Sequence, residues 1–335
     1  MKTDFLLKAP LIINWAVTNR CNFKCRHCYS RDDPSEELAR EQLFASIDKV
    51  VSAGVFSVNF GGGEPLLRKD LREIARYAAD RGLKVSMNSN GYYIERDIAL
   101  QLKESGFSKV GVSIDSSTPE IHDTFRGVKG SHEKAVAALS HLHAAGIETS
   151  LSAVICKINS QSVLALIEFA MHHNVRHINL HNFKCSGLGY THKDELDLSP
   201  QEWRDFYLKA IEAKHRFNDI HISLDDPIIA SLGYRDGDSL VKGSVCGKLS
   251  LNIKSNGEIT PCGFIPLVIG NIFHDNLAEL WKTSPVLDMM RNKTPKGKCL
   301  RCSHYDDCLG GCTSRALALT GDLNNPDPHC WHEPE

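Results

Sequence analysis

The chain has 335 residues, 42% of them hydrophobic, and a formal net charge of −2 at pH 7, which excludes a chain-wide electrostatic surface for nucleic acids or anionic membranes. No apolar run reaches the roughly 20 residues of a membrane span, and the N terminus lacks the apolar stretch and cleavage site of a signal peptide. We therefore expect a cytoplasmic globular protein without nucleic-acid or membrane partners.

Six short apolar runs alternate with amphipathic helical stretches in the first part of the chain. The runs predict strands at residues 11–17, 57–60, 84–88, 110–115, 149–155 and 177–181. Four of the helical patterns end at a glycine, namely Gly54, Gly82, Gly106 and Gly146, and a seventh helix begins at the capping sequence SPQE, residues 199–202. Six βα units in series predict an α/β fold with a parallel sheet, most simply a partial (β/α)6 barrel.

Polar and apolar side chains alternate along the predicted strands. Val110 and Val112 share one face of the fourth strand, whereas Ser113 and Asp115 share the other. The corresponding polar positions on the other strands are Asn14, Asn59, Ser86, Asn88, Ser150, Ser152, Asn179 and His181. Since a closed eight-stranded barrel fills its interior largely with Val, Ile and Leu, we expect an open barrel whose inner face binds a polar ligand. The alternative is that some of these strands are edge or exposed strands.

Of the sixteen histidines, His181 differs from the others by its position. Most of the others stand in surface-like contexts such as the segment MHHNVRH at residues 171–177. His181 lies on the polar side and at the C-terminal end of the sixth predicted strand. We predict that it lines the substrate cavity, and it is the candidate residue for proton transfer.

Ten of the twelve cysteines form two clusters near the ends of the chain. Cys21, Cys25 and Cys28 follow the first predicted strand, and the C-terminal group comprises Cys246, Cys262, Cys299, Cys302, Cys308, Cys312 and Cys330. In a large chain without a secretion signal, clustered cysteines indicate metal binding, either of zinc or of iron–sulfur clusters. Three thiolates on a cubane cluster leave one iron free for an outside molecule. The isolated Cys156 and Cys185 are expected to be core or surface thiols.

The segment CNFKCRHCY, residues 21–29, resembles the signature of the radical S-adenosylmethionine (SAM) superfamily. In that family the free iron chelates SAM, and reductive cleavage yields a 5′-deoxyadenosyl radical that abstracts hydrogen. The segments GGGEP, residues 61–65, and SNG, residues 89–91, follow in the expected order. The SAM contacts that this resemblance implies involve Tyr29 at the adenine, Gly62, Gly63 and Glu64 at the amino group, Ser113 and Asp115 at the ribose, and Arg126 at the carboxylate, with Asn90 of the SNG segment as a further contact.

The spacing of the seven C-terminal cysteines is similar to that of the SPASM extension of radical SAM enzymes, which houses auxiliary [4Fe–4S] clusters. The resemblance implies an outer cluster on Cys299, Cys302, Cys308 and Cys330, and an inner cluster on Cys246, Cys262 and Cys312. The inner set lacks a fourth cysteine, so its last position is either open to substrate or closed by another residue. The expected organisation is a barrel at 1–218, a bridging region at 219–243 and a SPASM domain at 244–335, with three [4Fe–4S] clusters in all.

The segments NFGGGEP and CSHYDDCLGGC are similar to those of mycofactocin peptide maturases. This resemblance implies an oxidoreductase that abstracts hydrogen from a peptide or protein and yields a cross-link, a decarboxylation or an unsaturated bond. Tetrapyrrole side-chain enzymes of the haem branch share a CRHCYS opening, so a tetrapyrrole is the alternative substrate. A zinc-binding interaction protein is the alternative of another class.

The resemblance also implies particular partners. Radical SAM chemistry needs an electron donor such as flavodoxin or ferredoxin. Many peptide maturases carry an N-terminal peptide-clasping domain, but the first predicted strand begins near residue 11, which leaves no room for it. We therefore expect either a separate peptide-recognition protein or a substrate that has no leader segment.

Overall fold

The computed structural model describes residues 7–30, 34–234 and 241–334. Within these residues ten strands form one sheet: β1 (Ile12–Thr18), β2 (Ser57–Gly62), β3 (Lys84–Ser89), β4 (Phe107–Ser113), β5 (Glu148–Ile155), β6 (His177–Asn182), β7 (His221–Leu224), β8 (Ser250–Ile253), β9 (Glu258–Thr260) and β10 (Gly270–Asn271). Their order across the sheet is β10-β9-β8-β1-β2-β3-β4-β5-β6-β7. All neighbouring pairs from β8 to β7 are parallel, whereas β8, β9 and β10 form an antiparallel edge.

The helices connect the parallel strands and then build the C-terminal region. In chain order they are α1 (Arg40–Ser52), α2 (Leu71–Asp80), α3 (Arg96–Glu104), α4 (Pro119–Arg126), α5 (Ser131–Ala144), α6 (Val163–His172), α7 (Leu188–Thr191), α8 (Lys193–Leu196), α9 (Pro200–Arg216), α10 (Leu277–Thr283), α11 (Pro285–Arg291), α12 (Tyr305–Cys308) and α13 (Thr313–Thr320). Short 3-10 helices cover Pro65–Leu67, Ser160–Ser162, Pro227–Leu232 and Gly297–Arg301. The result is the predicted α/β partial barrel, followed by a C-terminal cysteine-rich region.

The helix ends follow the predicted signals. Helices α1, α2, α3 and α5 each end two residues before a glycine, and all four glycines have positive φ. At the start of α9, Ser199 Oγ accepts a hydrogen bond from Glu202 N at 3.3 Å, and Glu202 Oε2 accepts one from Ser199 N at 2.8 Å. This reciprocal capping satisfies two backbone N–H groups that the first turn of a helix leaves free.

The two faces of the sheet have the predicted opposite character. Val110 and Val112 are fully buried in the large hydrophobic core beneath the helices. On the other face, Asn59 Nδ2 donates to Asn14 Oδ1 at 3.3 Å, and Ser86 Oγ donates to Asn59 Oδ1 at 3.1 Å. Polar groups of neighbouring strands thus hydrogen bond to one another along the inner face of the barrel.

Four strands, β7 to β10, extend the sheet beyond the six that the sequence predicts. Strand β7 lies inside the predicted bridging region 219–243 and pairs with β6; residues 235–240 of that region lie outside the described part. Strand β8, in the C-terminal region, pairs with β1 from Ile12↔Ser250 to Trp15↔Ile253. The C-terminal region therefore shares the backbone hydrogen-bond ladder of the barrel. The fourth strand also begins and ends earlier than the predicted 110–115.

The candidate site lies where the parallel strands end. Because β1 to β8 run in one direction, their C-terminal ends meet at one side of the sheet, and the loops that follow them are brought together. These loops carry the N-terminal cysteines, the GGGEP segment, Asp115, Lys184 and Asp225. No helix in the described ranges is long and apolar enough to span a membrane.

Candidate functional site

The N-terminal cysteine loop, residues 21–28, is held against the glycines that end β2. Gly63 N donates a hydrogen bond to Thr18 O at 2.8 Å. A Cβ atom at Gly62 would lie 2.3 Å from Thr18 O, and one at Gly63 would lie 2.1 Å from Arg20 O. Only glycine permits this approach, because any side chain at either position would collide with backbone. The GGGEP segment thus fixes the position of the cysteine loop.

The three thiols of this loop lie close enough to influence one another. Burial raises the pKa of Cys21, and it raises the pKa of Cys25 to about 11. The charge of Cys28 raises both values further. Burial therefore disfavours the thiolate forms of Cys21 and Cys25, and a bound metal or cluster, whose ligands are thiolates, would favour them.

Glu64 lies behind this loop with its carboxylate buried. Its oxygens accept hydrogen bonds from Asn90 N at 2.8 Å, Ser89 Oγ at 2.9 Å and Leu66 N at 3.2 Å. Burial raises the pKa of Glu64 to about 7, although these hydrogen bonds oppose the shift. A carboxylate has about four acceptor positions, so the three bonds leave room for one further donor. Asn90 Nδ2 in turn donates to Asn22 Oδ1, within the cysteine loop, at 2.8 Å.

Asp115 and Arg126 form a buried, bidentate ion pair beside the cysteine loop. The guanidinium Nε and Nη2 donate to the two carboxylate oxygens at 2.5 and 3.0 Å. Arg126 also approaches the thiol of Cys25 and favours its ionised form. Ser113 precedes Asp115 on the same side of the chain and ends β4. The pair engages two guanidinium nitrogens, and because Arg carries five N–H donors, further donors remain for a ligand carboxylate.

Tyr29 connects the N-terminal loop to the C-terminal cysteines. Its ring lies 4.5 Å, centroid to centroid, from that of Phe264. Although 40% of the residue is exposed, its hydroxyl is surrounded by protein, and this burial raises the pKa of Tyr29 to about 12. Negative charge on Cys28 and on Cys262 adds to the increase. The hydroxyl therefore lies within electrostatic reach of both cysteine groups.

Four of the C-terminal cysteines surround one cavity. Cys299, Cys302, Cys308 and Cys330, the set predicted for an outer cluster, all line this one cavity. Burial raises the pKa of Cys299 and Cys330, and it raises that of Cys308 to about 12. Four thiols around one such space fit a four-iron cluster.

The other three C-terminal cysteines gather at the inner side of this region. The Cys262 thiol donates to the sulfur of Cys246, so that the pKa of Cys246 is lowered and that of Cys262 is raised. Lys184 Nζ donates to Cys312 Sγ at 3.4 Å, and its charge also lowers the pKa of Cys246. The predicted inner set thus lies together, with an ammonium group directly beside it.

His181 faces the same space from the end of β6. Its Nδ1 lies 3.1 Å from Asp225 Oδ2, and the two side chains are 42% and 47% exposed. Burial lowers the pKa of His181, but the Asp225 carboxylate outweighs burial, and the net shift is upward. Asp225 also interacts electrostatically with Cys246 and Lys184. A carboxylate and an imidazole therefore stand beside the three-cysteine set that lacks a fourth cysteine.

A buried arginine in the C-terminal region forms ion pairs that connect this region to the barrel. Arg315, in α13, donates to both carboxylate oxygens of Asp226, each at 2.8 Å, and also binds Asp327. Asp327 Oδ2 accepts from Cys312 N at 2.7 Å, and Tyr207 donates to Asp226 at 2.7 Å. All charges in this group are paired, as buried charges must be, and the network fixes the backbone of Cys312.

The cysteine sets differ from a single-ion metal site. Within the described ranges no group of three or more His, Cys, Asp or Glu side chains is arranged to hold one metal ion. A zinc ion would draw its thiolates to about 2.3 Å from the metal. A cubane cluster places its thiolates farther apart, around a larger centre. The cavity that the outer four cysteines line offers a place for such a cluster.

Comparison with known families decides the assignment. The family model of the radical SAM superfamily matches residues 15–170, and that of the iron–sulfur cluster-binding SPASM domain matches residues 246–303. An AdoMet-dependent heme synthase from Methanosarcina barkeri is 31% identical, and the match covers 98% of each chain. This chain belongs to the radical SAM superfamily. Mycofactocin maturase MftC from Mycolicibacterium smegmatis is 29% identical over 98% of this chain and 85% of its own length.

Solved structures of radical SAM proteins share the fold. Streptococcus suis SuiB bound to S-adenosylmethionine aligns with a TM-score of 0.81 at 19% identity, over 98% of this chain and 78% of SuiB. The enzyme anSMEcpe with bound AdoMet aligns with a TM-score of 0.75 at 22% identity, over 96% of this chain and 94% of its own. At these identities the likeness shows the α/β radical SAM fold with its C-terminal SPASM domain.

The structure adds residues that the sequence alone did not single out. Lys184, Asp225 and Arg315 contact or influence the inner cysteines, and Phe264 packs on Tyr29. Their partners lie far away in the chain, for example 128 residues apart for Lys184 and Cys312, so no local motif marks them. Asp225 follows the alternating segment HISL, and this pattern is the one sequence signal that could have indicated a site residue at the end of a strand. Both isolated cysteines, Cys156 and Cys185, are buried.

Proposed function

We propose that this radical SAM protein is an oxidoreductase that binds three [4Fe–4S] clusters and abstracts hydrogen from a peptide or protein substrate. Cys21, Cys25 and Cys28 would hold the cluster that binds SAM, and the C-terminal cysteines the two auxiliary clusters. When bound, the first cluster and SAM supply the radical that removes a hydrogen atom. The proposed units are the barrel at 1–218, the bridging region at 219–243 and the SPASM domain at 244–335.

Residues at the barrel mouth would bind SAM and orient it for cleavage. Gly62 and Gly63 allow backbone to approach the ligand, and the remaining acceptor position of Glu64 suits its ammonium group. Arg126, steadied by Asp115, would contribute a donor to the SAM carboxylate. Tyr29, Asn90 and Ser113 stand around the adenine and ribose, as the family resemblance implies.

The polar inner face of the barrel is the main observation that supports a peptide substrate. Its amide and hydroxyl groups, among them Asn14, Asn59 and Ser86, hydrogen bond to one another along several strands, and each amide has further donor and acceptor capacity for a ligand. An extended peptide presents a regular series of N–H and C=O groups that such a surface can satisfy. His181 and Asp225 stand between this face and the inner cysteines, where they can hold or move a proton. Mycofactocin maturase MftC, a full-length relative, is a maturase, which agrees with this substrate class.

A tetrapyrrole with carboxylate side chains is the second candidate substrate. The observation in its favour is the 31% identity to an AdoMet-dependent heme synthase over 98% of both chains. Lys184, at the barrel mouth, could pair with a substrate carboxylate. The polar inner face is less suited to the apolar plane of a macrocycle, and for this reason we place the peptide first.

The first experiment tests the cofactor assignment. The protein, purified and reconstituted without oxygen and reduced with dithionite or a flavodoxin system, should cleave SAM to methionine and 5′-deoxyadenosine. Its iron content should approach roughly twelve atoms per chain, as three four-iron clusters require. If the purified protein contains zinc but no iron, and does not cleave SAM, the result would support the zinc-binding alternative instead. A separate peptide-recognition protein would appear as tighter peptide binding when it is added.

A further inference from the structure

The ammonium group of Lys293 is buried without a hydrogen-bond partner. Its Nζ atom has no access to solvent and no partner among the described residues. It lies in the loop that follows α11 and faces the auxiliary cysteines, because Cys312, Cys299 and Cys308 all act on its charge. An isolated buried ammonium is among the most unfavourable groups in a protein interior, unless an anion lies next to it.

The carboxylate of Asp327, which acts on Lys293, does not supply that anion. Asp327 acts on Lys293 through space, but its two oxygens are engaged by Arg315 and by the backbone N–H of Cys312. Lys293 Nζ instead borders the glycine turn between Cys308 and Cys312, where a Cβ atom at Gly310 would lie 3.4 Å from it. The free ammonium thus points to the segment that joins the two auxiliary cysteine sets.

A second ammonium group approaches the same segment from the barrel side. Lys184 Nζ donates to Cys312 Sγ at 3.4 Å and stands 5.9 Å from the ring centre of Phe264. Negative charge on Cys312, Asp225 and Asp226 favours the charged form of this lysine. Two lysines therefore act on Cys312: Lys184 contacts its sulfur, and Lys293 lies within electrostatic reach.

We propose that Lys184 and Lys293 are the charge partners of the auxiliary clusters and raise their reduction potentials. A four-iron cluster with thiolate ligands is an anion that gains one more negative charge when it is reduced. A nearby ammonium group stabilises the reduced form more than the oxidised form, and donors to the cluster sulfurs act in the same direction. Lys184 serves the inner cluster, and Lys293, between the two sets, serves both. The pair makes the auxiliary clusters better acceptors for an electron from oxidised substrate.

This inference rests on the proposed auxiliary clusters, and the experiment separates the two claims. The Cys21→Ala, Cys25→Ala, Cys28→Ala protein serves as background, because its only remaining iron–sulfur signals come from the C-terminal cysteines. Iron content tests the clusters, with roughly eight atoms expected per chain. Redox titration followed by electron paramagnetic resonance then tests the lysines. Iron near zero would refute the clusters themselves, whatever the lysines do.

Each lysine is replaced in this background by methionine, which keeps the length of the side chain but removes its charge. K184M should lower the midpoint potential of one cluster, and K293M those of both. The control is K296M, on the same loop but at the surface, where its ammonium pairs with Asp322 at 2.7 Å. The control should titrate like the background protein.

Unchanged potentials in K184M and K293M, with iron retained, would overturn the proposal. If K293M fails to retain iron, K293Q, which keeps an N–H donor without the charge, replaces it in the titration. A lowered potential in K293Q supports the charge role, and a potential equal to the background overturns it. Loss of auxiliary iron from both Lys293 variants would also overturn it, because Lys293 would then be needed to build the site and not to tune it.

Discussion

The rings of Tyr29 and Phe264 pack against each other, tilted by 55°, at a centroid distance of 4.5 Å, although 235 positions separate them in the chain. Tyr29 directly follows the last cysteine of the N-terminal loop, and Phe264 stands two positions after Cys262 of the inner set. A Cβ atom at the intervening Gly263 would lie 3.2 Å from the tyrosine ring, so the two segments pack closely. This contact fixes the distance between the N-terminal cysteine loop and the inner cysteines.

Removal of this contact should loosen the coupling between SAM cleavage and substrate oxidation. We expect Y29L to raise the ratio of 5′-deoxyadenosine to product about fivefold, because an aromatic pair contributes about 1 kcal/mol beyond burial. Y29F keeps the ring and should leave the ratio near the wild-type value. Both products are measured by chromatography and mass spectrometry in one reaction. A wild-type ratio in Y29L would show that the contact has no positioning role.

The N-terminal and C-terminal cysteines should hold their clusters independently. Replacement of Cys21, Cys25 and Cys28 by alanine should abolish SAM cleavage and leave roughly eight iron atoms per chain. The reason is that the two groups lie on different loops, and four of the C-terminal cysteines line a cavity that none of the N-terminal cysteines reaches. Iron analysis and SAM turnover are measured on the same anaerobic preparation. Loss of all iron with the fold intact, as judged by circular dichroism, would refute independent assembly.

The buried Asp115–Arg126 pair should be important for stability. R126M leaves the Asp115 carboxylate buried without its partner, and we expect it to lower the free energy of unfolding by about 3 to 5 kcal/mol. The control is K296M, which breaks an ion pair at the surface and should have no measurable effect. Urea unfolding without oxygen, followed by circular dichroism, gives both values. If R126M matches the control, the pair contributes little to the fold.

Glu64 should make both stability and SAM binding depend on pH. Its pKa rises from 4.5 to about 7 in the folded protein, so the folded state holds the proton longer than the unfolded chain. The contribution of Glu64 to stability therefore falls as the pH rises from about 4.5 to about 7, and E64Q removes this trend.

The ionised carboxylate, by contrast, is the form that binds an ammonium group. The SAM dissociation constant should therefore fall about tenfold between about pH 6 and pH 8, as expected for a group that titrates near 7. Equilibrium binding to E64Q provides the control, since its remaining pH dependence reports the titration of SAM itself. Equal pH profiles for the two proteins would mean that Glu64 does not bind SAM.

The fold could be predicted from the sequence where local signals decide the structure. Glycines with positive φ end four helices, and the alternation of side chains along β4 gives its buried and polar faces. Strand β7 was missed because it has only four residues, His221–Leu224, and its pairing with β6 depends on tertiary contacts. Strand β8 was missed because a short strand gives no indication that it will pair with β1, more than 200 positions earlier.

The candidate site divides in the same way. The ten clustered cysteines and the GGGEP segment are visible as motifs, because their spacing is short. The charged residues around them are not visible as motifs, because Lys184 and Lys293 come close to cysteine sulfur atoms only when the chain folds. Asp115 and Arg126 were predicted as SAM contacts, and the structure shows in addition that they bind each other.

Transfer of deuterium from substrate to 5′-deoxyadenosine tests the proposed function most directly. Candidate peptides with deuterium at Cα or Cβ, and a tetrapyrrole with deuterated carboxylate side chains, are each incubated with the reduced enzyme and SAM. We predict label in 5′-deoxyadenosine from a peptide, together with a peptide product lighter by the mass of hydrogen or of the carboxyl group. Label from the tetrapyrrole alone would refute the peptide and support the second candidate. If SAM is cleaved and neither substrate class delivers deuterium, hydrogen abstraction from these substrates is contradicted.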